Sequence, residues 1–357
     1  MTTQVSSAIK SLSAMTTTIS DPWSVSEDRF PDSGSPEEQC KFLLNYAVLA
    51  PSTHNSQPWR FKVTGGQVSI FADRRRALPV VDPDDREMIM SCGAALFNFR
   101  TALHNYGFNH TVHLFPELAD PDLLATVEMG RRGRANEVWQ KLFHAIKRRR
   151  TNRSPFEKRS LPKHDLRLMS EAAAAEGAQI EAFTELDARI DLASLIATAD
   201  ELQSSSKGFR REMASWLHHS RHNSRDGIPR YATGLRDWLA NAGPSVVRTF
   251  DWGVGKAAHD KQLAEGSPAL LILSTKSDGL SEWLMAGQAL ERSLLVGTDL
   301  GLKASYLNQP IQVEELRPRV ASLVGLKLAP QIILRVGYGD SVRATPRRPV
   351  RDVIVRY

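Results

Sequence analysis

Residues 50–59, with the sequence Ala-Pro-Ser-Thr-His-Asn-Ser-Gln-Pro-Trp, form the most informative stretch of this chain. An apolar helical pattern over Pro36–Leu49 leads into the stretch, and the alternating segment Trp59–Val63 after it predicts a strand. Two prolines bracket the short polar side chains, which predicts a stiff loop with many hydrogen-bonding groups. Such a loop suits a ligand with carbonyls and ring nitrogens.

A second polar segment, residues 148–156, lies far downstream and reads Arg-Arg-Arg-Thr-Asn-Arg-Ser-Pro-Phe. Arginine presents paired donors in a rigid fork, so several of them beside a hydroxyl suit a phosphate group. An exposed basic helix face is the alternative interpretation, and the Thr and Asn within the run favour the anion site. Together with the polar loop, the segment predicts a site for a mononucleotide cofactor.

The composition is that of an ordinary globular protein. The 357 residues are 41% hydrophobic and 24% charged, which allows one large or two ordinary domains. A net charge of +6 is modest for this length, and the basic run lacks the interleaved aromatic residues of a single-strand binder. We therefore expect no nucleic-acid partner.

Targeting signals and cysteine usage narrow the setting. No apolar run approaches the roughly 18 residues that a membrane helix needs, so we expect no membrane partner. The N-terminus is rich in Ser and Thr without an apolar core, and residues 1–35 are predicted to be a disordered lead-in. The two cysteines, Cys40 and Cys92, have no metal-like or redox-like spacing, which fits a cytoplasmic location.

Two segments of the chain resemble each other. Residues 92–96 read Cys-Gly-Ala-Ala-Leu and residues 286–290 read Ala-Gly-Gln-Ala-Leu, and each contains a glycine followed by another glycine 14 residues later. We interpret residues 36–140 and 141–357 as two similar halves. The second half carries an insertion at about residues 186–263 whose amphipathic helical pattern fits either a lid over a site or extra helical packing.

The coarse pattern of elements predicts an α+β fold. Glycines at 65 and 66 predict a hairpin, and residues 349–355 read as an extended tail. Strands are predicted at 111–115, 180–183, 269–275, 303–306 and 331–336, and helices at 36–49, 85–105, near 121, 137–149, 163–176 and 282–300.

These residues resemble a known family. The loop at 50–59 is similar to the Ala-Pro-Ser-x-x-Asn-x-Gln-Pro-Trp signature of FMN-dependent nitroreductases, and Arg149–Arg153 resembles the family's Arg-Arg-Ser-x-Arg motif. The ending Leu334–Gly339, followed by Pro346–Pro349, also looks like the family's C-terminus. The resemblance extends from about residue 36 to residue 355, apart from the insertion, and implies the nitroreductase-like fold.

The chain departs from the family in one instructive way. Ordinary members are homodimers in which the Arg-rich motif of one protomer faces the polar loop of the other. Here the first half has the loop without an Arg-rich motif, while the second half has the motif and an Ala-rich segment where the loop would stand. The resemblance therefore implies the pseudo-dimeric Acg-like branch, in which tandem halves of one chain hold a single FMN beneath a helical lid.

The resemblance also implies the roles of individual residues. It places the Arg-rich motif on the phosphate and ribityl chain, with the C-terminal arginines as further phosphate ligands. It also places the polar loop at the isoalloxazine edge and the backbone of residues 307–309 near flavin N5. The implied cofactor-binding residues are Pro51, Ser52, Thr53, Asn55, Gln57, Arg149, Arg150, Thr151, Arg153, Leu307, Asn308, Gln309, Arg347 and Arg348. No side chain is poised as a nucleophile, and no metal site is expected because residues 82–87 read as a helix N-cap.

Two functions remain open from the sequence. The first is an NAD(P)H-dependent oxidoreductase, using NADH or NADPH as a transient reductant, that reduces nitroaromatic, quinone or similar small-molecule acceptors through the flavin. The alternative is a flavin-sequestering or storage protein whose lid closes the site to nicotinamide. A fused dimer implies a monomer or a weak homodimer in solution.

Overall fold

A computed structural model describes residues 21–218, 224–233, 247–249, 252–325 and 327–355. Within these ranges the chain forms two four-stranded antiparallel sheets with helices between and around them, as predicted for an α+β protein. The elements of the first part are α1 (Pro36–Ala47), β1 (Trp59–Thr64), β2 (Gln67–Ala72), α2 (Arg86–Asn105), β3 (Phe108–Leu114), β4 (Leu123–Arg132) and α3 (Glu137–Ile146).

The second sheet repeats the plan of the first. Its elements are α4 (Lys163–Ala174), β5 (Gln179–Phe183), β8 (Ala269–Thr275), α8 (Leu280–Asp299), β9 (Lys303–Tyr306), α9 (Gln309–Gln312), α10 (Arg317–Val324) and β10 (Ala329–Gly337). The first sheet has the order β1-β2-β4-β3 and the second has the order β5-β8-β10-β9. In both sheets a 20-residue helix connects the second and third strands of that part of the chain.

Helices α2 and α8 pack against each other through two glycines. A Cβ on Gly93 would lie 2.3 Å from the carbonyl oxygen of Leu284, and a Cβ on Gly287 would lie 2.0 Å from that of Met90. Each contacted carbonyl belongs to the residue three positions before the other glycine. The contact is therefore reciprocal, and only glycine permits the two backbones to approach so closely.

Each sheet is joined by a segment from the other part of the chain. After β10 the chain returns to the first sheet, where the one-turn helix α11 (Val350–Val353) leads to Ile354, which bridges Phe61. In the other direction, the segment after α3 joins the second sheet, where Thr151 bridges Ala304. This exchange carries the Arg-rich segment and the C-terminal arginines to the region beneath the polar loop.

The inserted segment lies between β5 and β8. Its described elements are α5 (Leu186–Ser205), α6 (Lys207–Trp216), the short strands β6 (Leu217–His218) and β7 (Ile228–Pro229), and α7 (Gly253–Gly266). The parts of the predicted insertion at 219–223, 234–246 and 250–251 lie outside the described residues.

Several expectations from the sequence need correction. The helix predicted near residue 121 is wrong, because Leu123–Arg132 is a strand that pairs with both β2 and β3. Asp-Pro-Asp at 120–122 looks like a helix start, but the apolar residues after it occupy an interior strand of the first sheet. The helix predicted over 137–149 ends at Ile146, and one helical turn interrupts the tail expected to be extended.

The predicted disorder of residues 1–35 does not hold for its second part. Val25 and Phe30 are buried in the hydrophobic core that packs against the first sheet, which we call the first core. The Trp23 indole Nε1 donates a 2.8 Å hydrogen bond to the Thr345 carbonyl. The energy of burying these apolar side chains offsets the loss of chain entropy there. Residues 1–20 lie outside the described part of the chain.

Candidate functional site

A cavity opens between the polar loop, helices α2 and α8, the turn after β9 and the inserted segment. The space there that no protein atom occupies amounts to about 1220 Å³, part of it open to solvent. Seven of the predicted cofactor residues line the cavity: Pro51, Ser52, Thr53, Thr151, Arg153, Asn308 and Gln309.

The polar loop has an unusual backbone. His54, Asn55 and Gln57 all adopt positive φ angles, of 52°, 54° and 53°. Such conformations cost non-glycine residues free energy, on the order of 1–3 kcal/mol each, and they concentrate at functional sites. The Ser52 hydroxyl accepts a 2.9 Å hydrogen bond from the Gln57 backbone N–H, which helps to hold the loop in this shape.

The side chains of Asn55 and Gln57 point away from the cavity. The Asn55 amide donates to the carbonyls of Gly227 and Pro346 at 2.9 and 3.1 Å, and the Gln57 amide donates to the Arg225 carbonyl at 2.8 Å. Both residues therefore tie the loop to the insertion and to the C-terminal segment. We expected Asn55 to line the ring edge and Gln57 to hydrogen-bond nearby; in the structure, the side-chain amides of both residues are hydrogen-bonded within the protein.

The Arg-rich segment divides in the same way. Thr151 and Arg153 line the cavity, whereas Arg149 is buried behind its wall, where Nη2 donates to the Leu49 carbonyl at 3.2 Å. The Arg150 guanidinium stacks over the Trp23 ring, with 4.0 Å between its Cζ and the ring centroid. Only part of the Arg-rich segment therefore lines the cavity, and its other arginines are engaged behind the cavity wall.

The C-terminal arginines also lie behind the cavity wall. Arg347 Nη1 donates to the Asn55 Oδ1 at 2.7 Å, and its Nη2 donates to the Leu49 carbonyl at 3.4 Å, as Arg149 does. The Arg348 backbone N–H donates to the Gln57 Oε1 at 2.8 Å. Arg347 and Arg149 thus both contact the Leu49 carbonyl at the start of the loop, on the side that we call beneath it. Arg348 contacts Gln57, near the other end of the loop.

Positive charge is concentrated beneath the loop. Arg149 and Arg347 are both buried, and Arg149 Nε lies 3.4 Å from a carboxylate oxygen of buried Glu291. Burial and the neighbouring guanidinium groups lower the pKa of Arg347 to about 9 and that of Arg150 to about 10. The buried arginines outnumber the one buried carboxylate that faces Arg149, so an anionic group placed among them would be favoured.

The turn after β9 supplies the third predicted contact region. Leu307 is buried in a core with residues of α5 and β10, so its side chain does not face the cavity. Asn308 and Gln309 do line it. The Asn308 Oδ1 accepts a 2.9 Å hydrogen bond from the Ile333 backbone N–H, which fixes the turn to the second sheet.

One face of α2 lines the cavity and was missed from the sequence. Glu87, Met90, Ser91 and Ala94 follow the i, i+3, i+4, i+7 spacing of a helix face. Two polar residues within this otherwise apolar face were the available signal. The Glu87 carboxylate is buried and accepts hydrogen bonds from the Thr53 hydroxyl at 2.6 Å and from the Gln312 amide at 2.9 Å.

The insertion covers the other side of the cavity with a mainly apolar surface. Its apolar lining residues, which we call the roof, are Phe209, Met213, Leu217, Ile228, Val247 and Trp252. Lys256 lines the cavity beside the roof, and its ammonium group pairs with Asp260 at 2.6 Å and with Asp200. The Gln309 amide donates to the same two carboxylates at 2.9 and 3.1 Å, so this ion cluster links the insertion to the turn after β9.

His54 stands at the edge of the cavity in its neutral form. Burial, together with nearby Arg153 and Lys256, lowers the pKa of His54 to about 4. Its Nε2 atom is buried and makes no hydrogen bond to the described residues. A ligand atom in the cavity could therefore pair with this imidazole.

Two searches of the described residues bear on other types of site. In the ranges that the structure covers, no three His, Cys, Asp or Glu side chains are grouped so that they could hold a metal ion. No helix among those same residues has the length and apolar character required to cross a bilayer.

The chain has relatives along nearly its whole length. It is 32% identical over 330 residues to "Putative NAD(P)H nitroreductase Rv3131" of Mycobacterium tuberculosis strain H37Rv, covering 91% of this chain and 92% of the relative. It is 30% identical over 332 residues to "Putative NAD(P)H nitroreductase acg" of the same strain, covering 90% of this chain and 97% of the relative.

A solved structure also matches part of the chain. The FMN and NADPH-dependent nitroreductase NfnB from sphigopyxis sp. strain HMH is 18% identical, with a TM-score of 0.40, and the match covers 60% of this chain and 98% of that one. No family model matches the chain. Because these two relatives are at least 30% identical to it over nearly its whole length, the chain belongs to the NAD(P)H nitroreductase family, in the group that contains Acg.

Proposed function

We propose that the chain is an FMN-binding NAD(P)H oxidoreductase of the nitroreductase type. One observation carries the proposal: residues 51–54 of the loop line the same cavity as Thr151 and Arg153 of the Arg-rich segment, although about 90 residues separate the two segments in sequence. The relatives' names support the same activity.

The residues present fit an FMN molecule. The ribityl phosphate would lie toward the arginines beneath the loop, where Arg149 Nε and Arg347 Nε are buried without hydrogen bonds to the described residues. The isoalloxazine edge would contact Ser52, Thr53 and the turn at Asn308, which together offer hydroxyl and amide groups. The amides of Asn55 and Gln57 would keep their structural role of shaping the loop.

A bound FMN would supply the redox chemistry, namely hydride transfer from NADH or NADPH and reduction of a nitroaromatic, quinone or similar acceptor. The chain orients the ligands and controls their access to water. The roof excludes water from one side of the cavity, while Asn308 and Gln309 are fixed by Ile333 and by the Asp200–Asp260 cluster.

The cofactor-binding part of the proposal is tested with a double variant. Purified protein should be yellow with about one FMN per chain. Arg149→Ala with Arg153→Ala should be colourless, because the variant loses a proposed phosphate ligand, Arg149, and the cavity-lining guanidinium of Arg153. Arg148→Ala is the matched control, since Arg148 is exposed and pairs with Asp299 at the surface. Circular dichroism checks that the double variant folds, and full retention of flavin by a folded double variant would refute the site.

A second function is favoured by the way the insertion is attached. Besides the ties from Asn55 and Gln57, the Arg76 guanidinium pairs with Asp226 of the insertion at 2.7 Å. If these ties keep the roof in place, the chain would hold FMN without turnover, as a sequestering protein. Anaerobic addition of NADH or NADPH separates the two: rapid bleaching of the flavin supports the oxidoreductase, and an unchanged spectrum supports sequestration.

We also propose that the two sheets descend from a tandem duplication, so that one chain corresponds to a dimer of ordinary family members. The identical strand order and the reciprocal contact of Gly93 with Gly287 support this proposal. Since both parts of the site come from one chain, a monomer suffices for cofactor binding. Light scattering should therefore give the mass of one chain, while a stable dimer would require a new interface.

A further inference from the structure

Tyr306 lines the cavity in the neighbourhood of the buried arginines. It is the last residue of β9, its side chain lines the cavity beside Thr151 and Arg153, and its hydroxyl is buried. The hydroxyl has no hydrogen-bond partner among the described residues. Buried hydroxyl groups in proteins are nearly always paired, so this one requires an explanation.

Among the described residues, three arginines and one carboxylate lie near the hydroxyl, so donor groups outnumber acceptor groups there. Arg149, Arg153, Arg347 and Glu291 are the charged groups close enough to act on its pKa. A guanidinium has no acceptor atom, so none of the three arginines can accept a hydrogen bond from the tyrosine hydroxyl. Burial raises the pKa of Tyr306 above its ordinary value, and the arginines only partly oppose this. The hydroxyl therefore remains protonated and able to donate.

The same region holds two further unpaired donors. Arg149 Nε and Arg347 Nε are buried without hydrogen bonds to the described residues, and the neighbouring carboxylate of Glu291 already faces Arg149. These three donor atoms lack hydrogen bonds to the described residues, as do both carboxylate oxygens of Glu291. The three nearby arginines outnumber this one carboxylate, so the region carries excess positive charge. A phosphate monoester offers three acceptor oxygens and a double negative charge, which meets all of these requirements at once.

We propose that the Tyr306 hydroxyl is a ligand of the cofactor phosphate, which it binds together with Arg149 and Arg347. The inference rests on the proposed binding of FMN and adds a neutral donor to the anion site. It also assigns the selectivity of the site: Tyr306 would distinguish FMN from riboflavin, which has the same ring system and ribityl chain but no phosphate.

The test compares Tyr306→Phe with the unchanged protein by fluorescence titration of the full-length apoprotein with FMN and, separately, with riboflavin. Tyr306→Phe removes a hydrogen bond to a charged group, and this loss should raise the Kd for FMN about tenfold or more. The Kd for riboflavin should change by less than about twofold, since that ligand never receives the bond. Unchanged riboflavin binding also shows that the variant is folded.

Tyr46→Phe is the matched control. Its hydroxyl is likewise buried, but it lies in the first core and away from the cavity. This variant should leave both Kd values unchanged. Equal FMN affinity in Tyr306→Phe and the unchanged protein would overturn the inference alone, as would an equal loss for both flavins. A chain that binds neither flavin would overturn the proposed function as well.

Discussion

The contact between α2 and α8 provides a sharp test of the architecture. In Gly93→Ala the new Cβ would lie 2.3 Å from the Leu284 carbonyl oxygen, and real Cβ atoms essentially never come closer than 3.0 Å to another heavy atom. The contacted atom is backbone in a second helix, so no side-chain rotation can relieve the clash. The two helices must separate, and Met90 and Leu290, which line the cavity from α2 and α8, would move with them.

The expected magnitude follows from two opposing effects. Alanine is favoured over glycine in a helix by about 1 kcal/mol, whereas overpacking a tight interior contact costs about 1–3 kcal/mol and occasionally more. The clash prevails here because rigid backbone is involved on both sides. We expect Gly93→Ala to lower the free energy of unfolding by about 2 kcal/mol and to weaken FMN binding through the displaced cavity wall.

Gly255→Ala is the matched control, since a Cβ on this helical glycine of α7 would meet no heavy atom of the described residues within 4 Å. Its free energy of unfolding should stay the same or rise by up to about 1 kcal/mol. Urea unfolding followed by circular dichroism measures both variants. A Gly93→Ala protein as stable as the Gly255→Ala protein would refute the close packing of the two helices.

Two further predictions concern the polar wall of the cavity. In His54→Asn, which keeps a residue tolerant of positive φ, the protein should lose less stability on acidification than the unchanged chain, because the pKa of His54 is lowered to about 4 from 6.5. As the pH falls below about 6.5, His54 binds a proton in the unfolded chain but not in the folded one, so the free energy of unfolding of the unchanged protein falls by up to about 3 kcal/mol by pH 4. Parallel urea midpoints of the two proteins across this window would contradict the assignment. In Glu87→Gln, an amide replaces the carboxylate that accepts from Thr53 and Gln312, and the Kd for FMN should rise about tenfold. Glu176→Gln, whose carboxylate pairs with arginines outside the cavity lining, should leave that Kd unchanged, and equal effects of the two variants would contradict a role for Glu87.

Much of the fold could be predicted because local signals agreed with the final structure. The glycines at 65 and 66 form the expected hairpin, with Gly65 at a φ of 56°, and the long helices begin and end near their predicted limits. The strand at 123–132 could not be predicted in the same way. Its apolar residues follow a sequence typical of a helix start, and only pairing with β2 and β3 decides the outcome.

The location of the candidate site could be predicted from the sequence, but most of the contacts within it could not. The prolines and short polar residues of the loop locate it, but the sequence does not reveal which amides are consumed within the protein. Asn55 and Gln57 bind the backbone of Gly227 and Arg225, partners 172 and 168 residues away in sequence. Similarly, the cavity-lining face of α2 depends on its rotation about the helix axis, which the packing of Gly93 against α8 determines.

A crystal structure of the full-length protein with FMN tests the central claim most directly. We predict one flavin per chain, with its phosphate within hydrogen-bond distance of Arg149, Arg347 and Tyr306, and with its ring against Ser52 and Thr53 beneath the roof. A flavin bound elsewhere, or a phosphate that none of these residues contacts, would contradict it.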